Sequence, residues 1–252
     1  MSMFKIRQKN PLVHCITNYV VANFTANGML AIGASPVMAD EMDEVQEMVS
    51  IANALLLNIG TLNQRTLETM KLAGKKANEL NIPVVLDPVG VGATKFRQNA
   101  VNEILNSINI QLIRCNAGEL ATIAGVNWHS KGVDSGEGSM DVASVAKQVA
   151  HQYNCLVIVT GAADYVTDGK NEEWVPGGNE LMTQVTGTGC LLSAICAATL
   201  TLEGNKIQNL QNVLTDYKKV AENASKKKLL GSFQMEVING IHEASIGGEQ
   251  WT

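Results

Sequence analysis

The chain has 252 residues, of which 46% are apolar, 17% charged and 4% aromatic, with 22 glycines and 5 prolines. That apolar content supplies a sizeable core and excludes a disordered chain. The net charge of −5 argues against a nucleic-acid ligand, which needs a basic face to meet phosphates.

The N-terminal segment MSMFKIRQKNP runs into Pro11 without a long apolar stretch, so no secretory signal is expected. A strand is predicted at residues 12–16, then helices over 18–31 and 42–53. Further strands are predicted at 54–58, 84–86, 111–113 and 156–159, each brief and nearly all apolar, as where both faces of a parallel sheet are covered. Helices are expected between them at 64–80, 99–106, 117–124 and 143–152. In the first of these Leu67, Met70, the stem of Lys71, Ala73, Ala77 and Leu80 follow a helical period. Glycines and acids over residues 131–140 suggest a surface loop. Beyond residue 159 the pattern changes to a β-hairpin, 165–167 with 172–175, turning at Asp168-Gly169. Apolar helices are expected at 188–202, 207–229 and 233–244, with Lys226–Lys228 as a solvated end of the second. Strands alternating with helices predict an α/β fold, a three-layer α/β/α sandwich with a mostly parallel central sheet. With no internal repeat or linker, residues 1–252 are read as a single domain.

Cys190–Leu202 is too short for a membrane-spanning helix, which needs ~20 residues. Cys15, Cys115, Cys155, Cys190 and Cys196 form neither a disulfide framework nor a C-x-x-C site. Free thiols fit a reducing cytoplasm, most of them as small core residues. His14, His129, His151 and His242 are scattered and give no metal spacing.

In an open parallel sheet, ligands bind beyond the carboxyl ends of the strands. Three segments there are rich in glycine and polar groups. After residues 84–86 comes Asp87-Pro88-Val89-Gly90-Val91-Gly92, where Asp87 could hold a cation and the glycines allow close backbone approach. A plain turn accounts for this segment equally well. After residues 111–113 comes Arg114-Cys115-Asn116-Ala117-Gly118-Glu119. Asn116 and Glu119 read first as a capping box, while the fork of Arg114 suits a phosphate. The third, Val185-Thr186-Gly187-Thr188-Gly189-Cys190, opens a helix and offers its unpaired N–H groups to an anion. No P-loop and no G-x-G-x-x-G occur.

The set D-P-V-G-x-G, R-x-N-x-x-E and V-T-G followed by G-T-G-C resembles the ribokinase-like small-molecule kinases. Within them it is most similar to the hydroxyethylthiazole kinase family. The segments PLVHCITN (residues 11–18), GASPVMADE (33–41) and Leu57-Asn58-Ile59-Gly60-Thr61-Leu62 share the likeness, which runs from about residue 10 to 245. The resemblance implies transfer of the ATP γ-phosphoryl group to the primary alcohol of 4-methyl-5-(2-hydroxyethyl)thiazole, with Mg2+ required. It places Met38, Gly187 and Asn18 at the substrate, Arg114 and Thr160 at ATP, and Asp87 and Glu119 at the metal. Gly187, Thr188 and Gly189 become the anion hole. It also implies a cytoplasmic homotrimer with active sites at subunit interfaces. Cys190 stands where the wider superfamily carries an aspartate base and where hydroxyethylthiazole kinases often carry a cysteine. We expect Cys190 to shape the pocket and assist weakly. The remaining readings are a kinase or ATP-dependent hydrolyase for another small molecule, a hydrolase whose nucleophile is Cys190 paired with a histidine, and a non-catalytic binding module.

Overall fold

A computed structural model describes residues 2–126 and 140–247. Its strands are β1 (Leu12–Ile16), β2 (Ser35–Val37), β3 (Ala54–Asn58), β4 (Val84–Asp87), β5 (Leu112–Asn116), β6 (Leu156–Thr160), β7 (Ala163–Thr167) and β8 (Glu172–Pro176). They form one 8-stranded sheet in the order β2-β1-β3-β4-β5-β6-β7-β8. Neighbours from β2 through β6 run parallel, and the β6-β7-β8 meander is antiparallel. The mostly parallel sheet of the sequence reading is therefore present.

Side chains alternate across the strands. Ala54 and Leu56 of β3 join one apolar layer, with α1 (Ser2–Lys9), α2 (Ala22–Ile32), α9 (Thr188–Leu200), α10 (Lys206–Ala224) and α11 (Leu230–Ile246). Leu55 and Leu57 join the other, with α3 (Val45–Ile51), α4 (Gln64–Glu79), α5 (Lys95–Ser107), α6 (Ala117–Ala124) and α7 (Val142–Tyr153). Every residue of α9 except Gly189 and Cys190 is buried. An apolar stripe all round the helix, rather than on one side, is what an interior helix requires.

The differences from expectation have local causes. Strand β2 escaped notice because it is three residues long, contains Pro36 and lies at the sheet edge, where a proline is tolerated. The short helices α1 and α8 (Leu181–Gln184) were also not foreseen. Strand β5 continues to Asn116, because Asn116 pairs with Thr160 of β6. Helix α2 begins at Ala22, which leaves Asn18 in the turn after β1. Helix α5 begins at Lys95 because the Thr94 side chain caps it, accepting from the Arg97 N–H. Leu80 lies past the end of α4 and is 42% exposed, not part of its buried face. Lys226 and Lys227 lie in a 3-10 turn after α10, and Lys228 is left-handed. The loop expected at residues 131–140 falls, apart from Met140, outside the described residues, as does His129.

Candidate active site

The carboxyl ends of β1, β3, β4, β5 and β6 meet the amino end of α9. Asp87, the last residue of β4, is fully buried. Its Oδ2 accepts from Asn58 Nδ2 at 2.7 Å and from Ser193 Oγ at 2.8 Å. Its Oδ1 has no hydrogen-bond partner among the described residues and lies 3.8 Å from Arg114 Nη1. Burial pushes its carboxyl up to about 6, opposed by the Arg114 charge. A buried carboxylate with one free oxygen is suited to a further cation.

The carboxylate fixes the direction of the amides beside it. Because Asn58 must turn its Nδ2 toward Asp87, its Oδ1 faces Asn18 and accepts from Asn18 Nδ2 at 2.9 Å. The same Nδ2 donates to Cys190 Sγ at 3.5 Å. Both protons of that amide are thus committed, and its carbonyl oxygen is the atom left to accept.

Arg114 joins the two sides of the site. Its Nη2 donates to Thr160 Oγ1 at 2.6 Å, and Thr160 donates onward to the Cys115 carbonyl at 3.3 Å. Its side chain is 12% exposed, and its Nε is buried without a partner among the described residues. A Cβ added at Gly189 would stand 2.7 Å from Arg114 Nη1, so only glycine lets the guanidinium reach the first turn of α9.

Gly187 caps α9 in the left-handed region at φ 97°, with no side-chain cap. The backbone ladder starts where the Leu191 N–H donates to the Gly187 carbonyl at 2.8 Å. The N–H groups of Thr188, Gly189 and Cys190 precede that ladder, and the helix dipole adds positive potential there. Thr188 contributes backbone alone, since its hydroxyl donates to the Met182 carbonyl at 2.9 Å. Tyr217 Oη locks the turn from behind through the Thr188 carbonyl at 2.8 Å.

Cys190 is half-buried, and the other four cysteines are buried. Burial pushes its thiol up to about 11, with the Asp87 charge adding to the rise. Its hydrogen-bond partner among the described residues is Asn18 Nδ2, not a histidine. A protonated thiol held by an amide is not the activated nucleophile a cysteine hydrolase needs.

Glu119 lies one layer behind, closing the capping box with Asn116 as expected. Its Oε2 accepts from the Asn116 N–H and its Oε1 from the Gly90 N–H, both at 2.9 Å. It therefore ties α6 to the Gly90 loop. Among the described residues no group of three or more His, Cys, Asp or Glu could hold a metal ion. Mg2+ usually takes one or two carboxylates and completes its shell with phosphate oxygens and water, so Asp87 and Glu119 fit it.

Of the residues singled out from sequence, Asn18, Asp87, Arg114, Thr160, Gly189 and Cys190 converge, and Gly187, Thr188 and Glu119 support them. Met38 directly follows edge strand β2, at its carboxyl end, and packs on the apolar layer of α9. Asn58, Ser193 and Arg97 were missed. Asn58 ends an otherwise apolar strand, and Ser193 lies four residues from Gly189 on a helix of small apolar residues; those are the signals that mark them.

The sheet order and site position define the ribokinase-like fold. A ribokinase-like superfamily protein from Enterococcus faecalis superposes with a TM-score of 0.69 at 11% identity, over 94% of this chain and 88% of its own. The family model described as the hydroxyethylthiazole kinase family matches residues 3–246, and the chain belongs to that family. A hydroxyethylthiazole kinase of Lysinibacillus sphaericus is 57% identical over 245 residues, covering 97% of this chain and 96% of the relative. The solved structure of a hydroxyethylthiazole kinase protein from Pyrococcus horikoshii matches with a TM-score of 0.87 at 38% identity, covering 96% of this chain and 91% of that one.

Proposed function

We propose that this chain transfers the γ-phosphoryl group of ATP to the primary hydroxyl of 4-methyl-5-(2-hydroxyethyl)thiazole, a step of thiamine salvage. The observation that carries the reading is the meeting of Arg114, Asp87 and the uncapped first turn of α9 in a member of this kinase family. Phosphoryl transfer asks for positioning and charge neutralisation more than covalent help. The N–H groups of Thr188, Gly189 and Cys190 receive the charge on the transferring phosphoryl oxygens, already oriented before the reaction. Arg114, held by Asp87 and Thr160, grips the phosphate chain of ATP. Asp87 and Glu119 would hold Mg2+, which when bound offsets triphosphate charge. The Asn18 carbonyl oxygen accepts from the substrate hydroxyl and aims it at the phosphorus. Cys190 keeps its proton and shapes the slot, because a loose transition state asks little of a base.

Tyr19 and Val20 are 79% and 61% exposed in the turn beside the site, and Leu30, in the last turn of α2, is 59% exposed. Exposed apolar residues at this density favour an interface, and we assign them to a homotrimer with active sites at the subunit boundaries. Met38, at the carboxyl end of edge strand β2, then serves as a substrate contact at such a boundary. A solution mass other than three times 27.0 kDa would overturn the trimer. The single sheet covered on both faces supports reading residues 1–252 as one kinase domain. Five free cysteines, and no helix among the described residues able to cross a membrane, support a cytoplasmic location.

The deciding experiment is ADP release with the thiazole alcohol, with and without Mg2+. ADP should appear only when alcohol and metal are both present. Equal ADP release with the alcohol omitted, or none with it, sinks the reading.

A further inference from the structure

Arg97 is the third residue of α5, in the first turn of the helix. A cation is unfavourable there, because the helix dipole presents its positive end. No carboxylate among the described residues lies within ion-pair distance to compensate. The guanidinium instead turns back across two loops. Nη1 donates to the Ile59 carbonyl at 2.6 Å and the Val89 carbonyl at 2.7 Å, and Nη2 donates to the Gly60 carbonyl at 2.7 Å. Ile59 and Gly60 directly follow β3, and Val89 lies two residues beyond β4.

Each loop carries one half of the site. The Gly60 N–H donates to Asn58 Oδ1 at 2.9 Å, and a Cβ there would come within 2.7 Å of Asn18 Nδ2. The Gly90 N–H donates to Glu119 Oε1 at 2.9 Å, and Asp87 ends the strand that leads into this loop. The first loop therefore backs Asn18 and Asn58, and the second backs Asp87 and Glu119. One planar fork spans both, with three charge-assisted bonds to carbonyls that have no other side-chain donor among the described residues.

We propose that Arg97 is a positioning residue that fixes the distance between the acceptor half of the site, Asn18 and Asn58, and the phosphoryl half, Asp87 and Glu119. It touches neither substrate, and it acts through the two loops. This deepens the kinase reading and depends on it for the catalytic consequence alone; the mechanical consequence holds for the free protein. Lysine does not replace it, because an ammonium lacks the planar fork that meets carbonyls on both sides.

The test compares wild type with Arg97→Lys and Arg97→Ala. Hydrogen exchange in the ligand-free proteins should quicken in residues 59–62 and 88–91 together, while the amides of β3 and β4 stay protected. With ATP, Mg2+ and the thiazole alcohol, kcat should fall about 10²-fold in Arg97→Ala, as for a misplacement of about 1 Å, with KM for the alcohol changed far less. Free guanidinium ion should restore part of the rate in Arg97→Ala and none in Arg97→Lys. Unchanged exchange in both loops of Arg97→Lys overturns the inference, and so does a wild-type kcat in a variant of an active enzyme. Coupled loosening of the loops in a protein that proves inactive on the thiazole alcohol upholds it and removes the kinase reading instead. If Arg97→Ala does not fold, Arg97→Lys, which keeps the charge, decides through exchange alone.

Discussion

The two ends of the sheet contrast in a way that cavity size does not foretell. The larger hollow, about 560 Å³, lies at the amino ends of the strands, among Pro83, Gln111, Leu156, Leu200 and Lys206. The hollow at the carboxyl ends, about 150 Å³ and reaching Thr17, Tyr19, Asp40 and Asn58, is much smaller. Yet at the amino end the charged groups are already occupied. Lys206 Nζ donates to the Leu200 carbonyl at 2.9 Å, and Asp168 Oδ1 accepts from the backbone of its own turn at 2.8 and 2.7 Å. At the carboxyl end Asp87 Oδ1 and Arg114 Nε are buried with no hydrogen-bond partner among the described residues, and the first N–H groups of α9 have no side-chain cap. Unfinished polar bonding, not empty volume, marks the chemistry.

Substitutions can break this contrast. The largest effect belongs to Arg114→Met, which removes the phosphate grip and strands a buried carboxylate. Its kcat/KM for ATP should fall about 10³-fold, with about 3 kcal/mol of stability lost as Asp87 loses its partner. Lys206→Met at the opposite end should lose about 1 kcal/mol in urea unfolding through its carbonyl bonds and leave the rate untouched. A matching rate loss in the two variants would erase the distinction between the ends.

Asp87→Asn sharpens it through pH. Burial raises the carboxyl from 3.8 to about 6, so the folded state holds a proton that the unfolded chain has already released. Stability from this group is complete below pH 4, declines as pH rises from 4 to 6, and is gone above that. A shift of this size corresponds to about 3 kcal/mol, which the neutral amide does not lose. Urea midpoints of the metal-free proteins at pH 4 and pH 7.5 should show the variant gaining on wild type at the higher pH. A gap that does not widen would mean that the carboxylate is fully compensated.

The smallest effect is expected at Cys190. Cys190→Ala should keep turnover within about tenfold of wild type, below the share usual for a general base. Cys190→Asp should retain or raise it. Complete loss in the aspartate variant would show that the thiol itself is needed.

Much of this was legible in the sequence, for identifiable reasons. The apolar runs that became β3, β4 and β6 stand out because both their faces are covered, and α6 ran from 117 to 124 as read because Asn116 and Gly125 punctuate it. Glycines at 187 and 189 announced a close approach; the Arg114 guanidinium comes up to Gly189, and the side chains of Val21 and Phe24 come up to Gly187. What could not be read depends on contacts distant in sequence. Asn58 acquires meaning only when β3 sets it level with Asp87 on β4. Ser193 reaches Asp87 across 106 residues. Strand β2 exists because β1 offers it an edge, not because three residues with a central proline favour extension.

Helix α9 also bears on how such a protein can diversify. Its buried length, from Leu191 to Leu200, touches core on every side, so each replacement there must match volume as well as polarity. Gly187 and Gly189 ahead of that stretch are held as well, one by its left-handed backbone and the other by the Arg114 guanidinium, which leaves Cys190 as the position of the helix where change costs folding least. New acceptor alcohols are accommodated at the lowest cost to folding by altering Cys190 and the strand-end loops around it, while the shaft behind stays as it is.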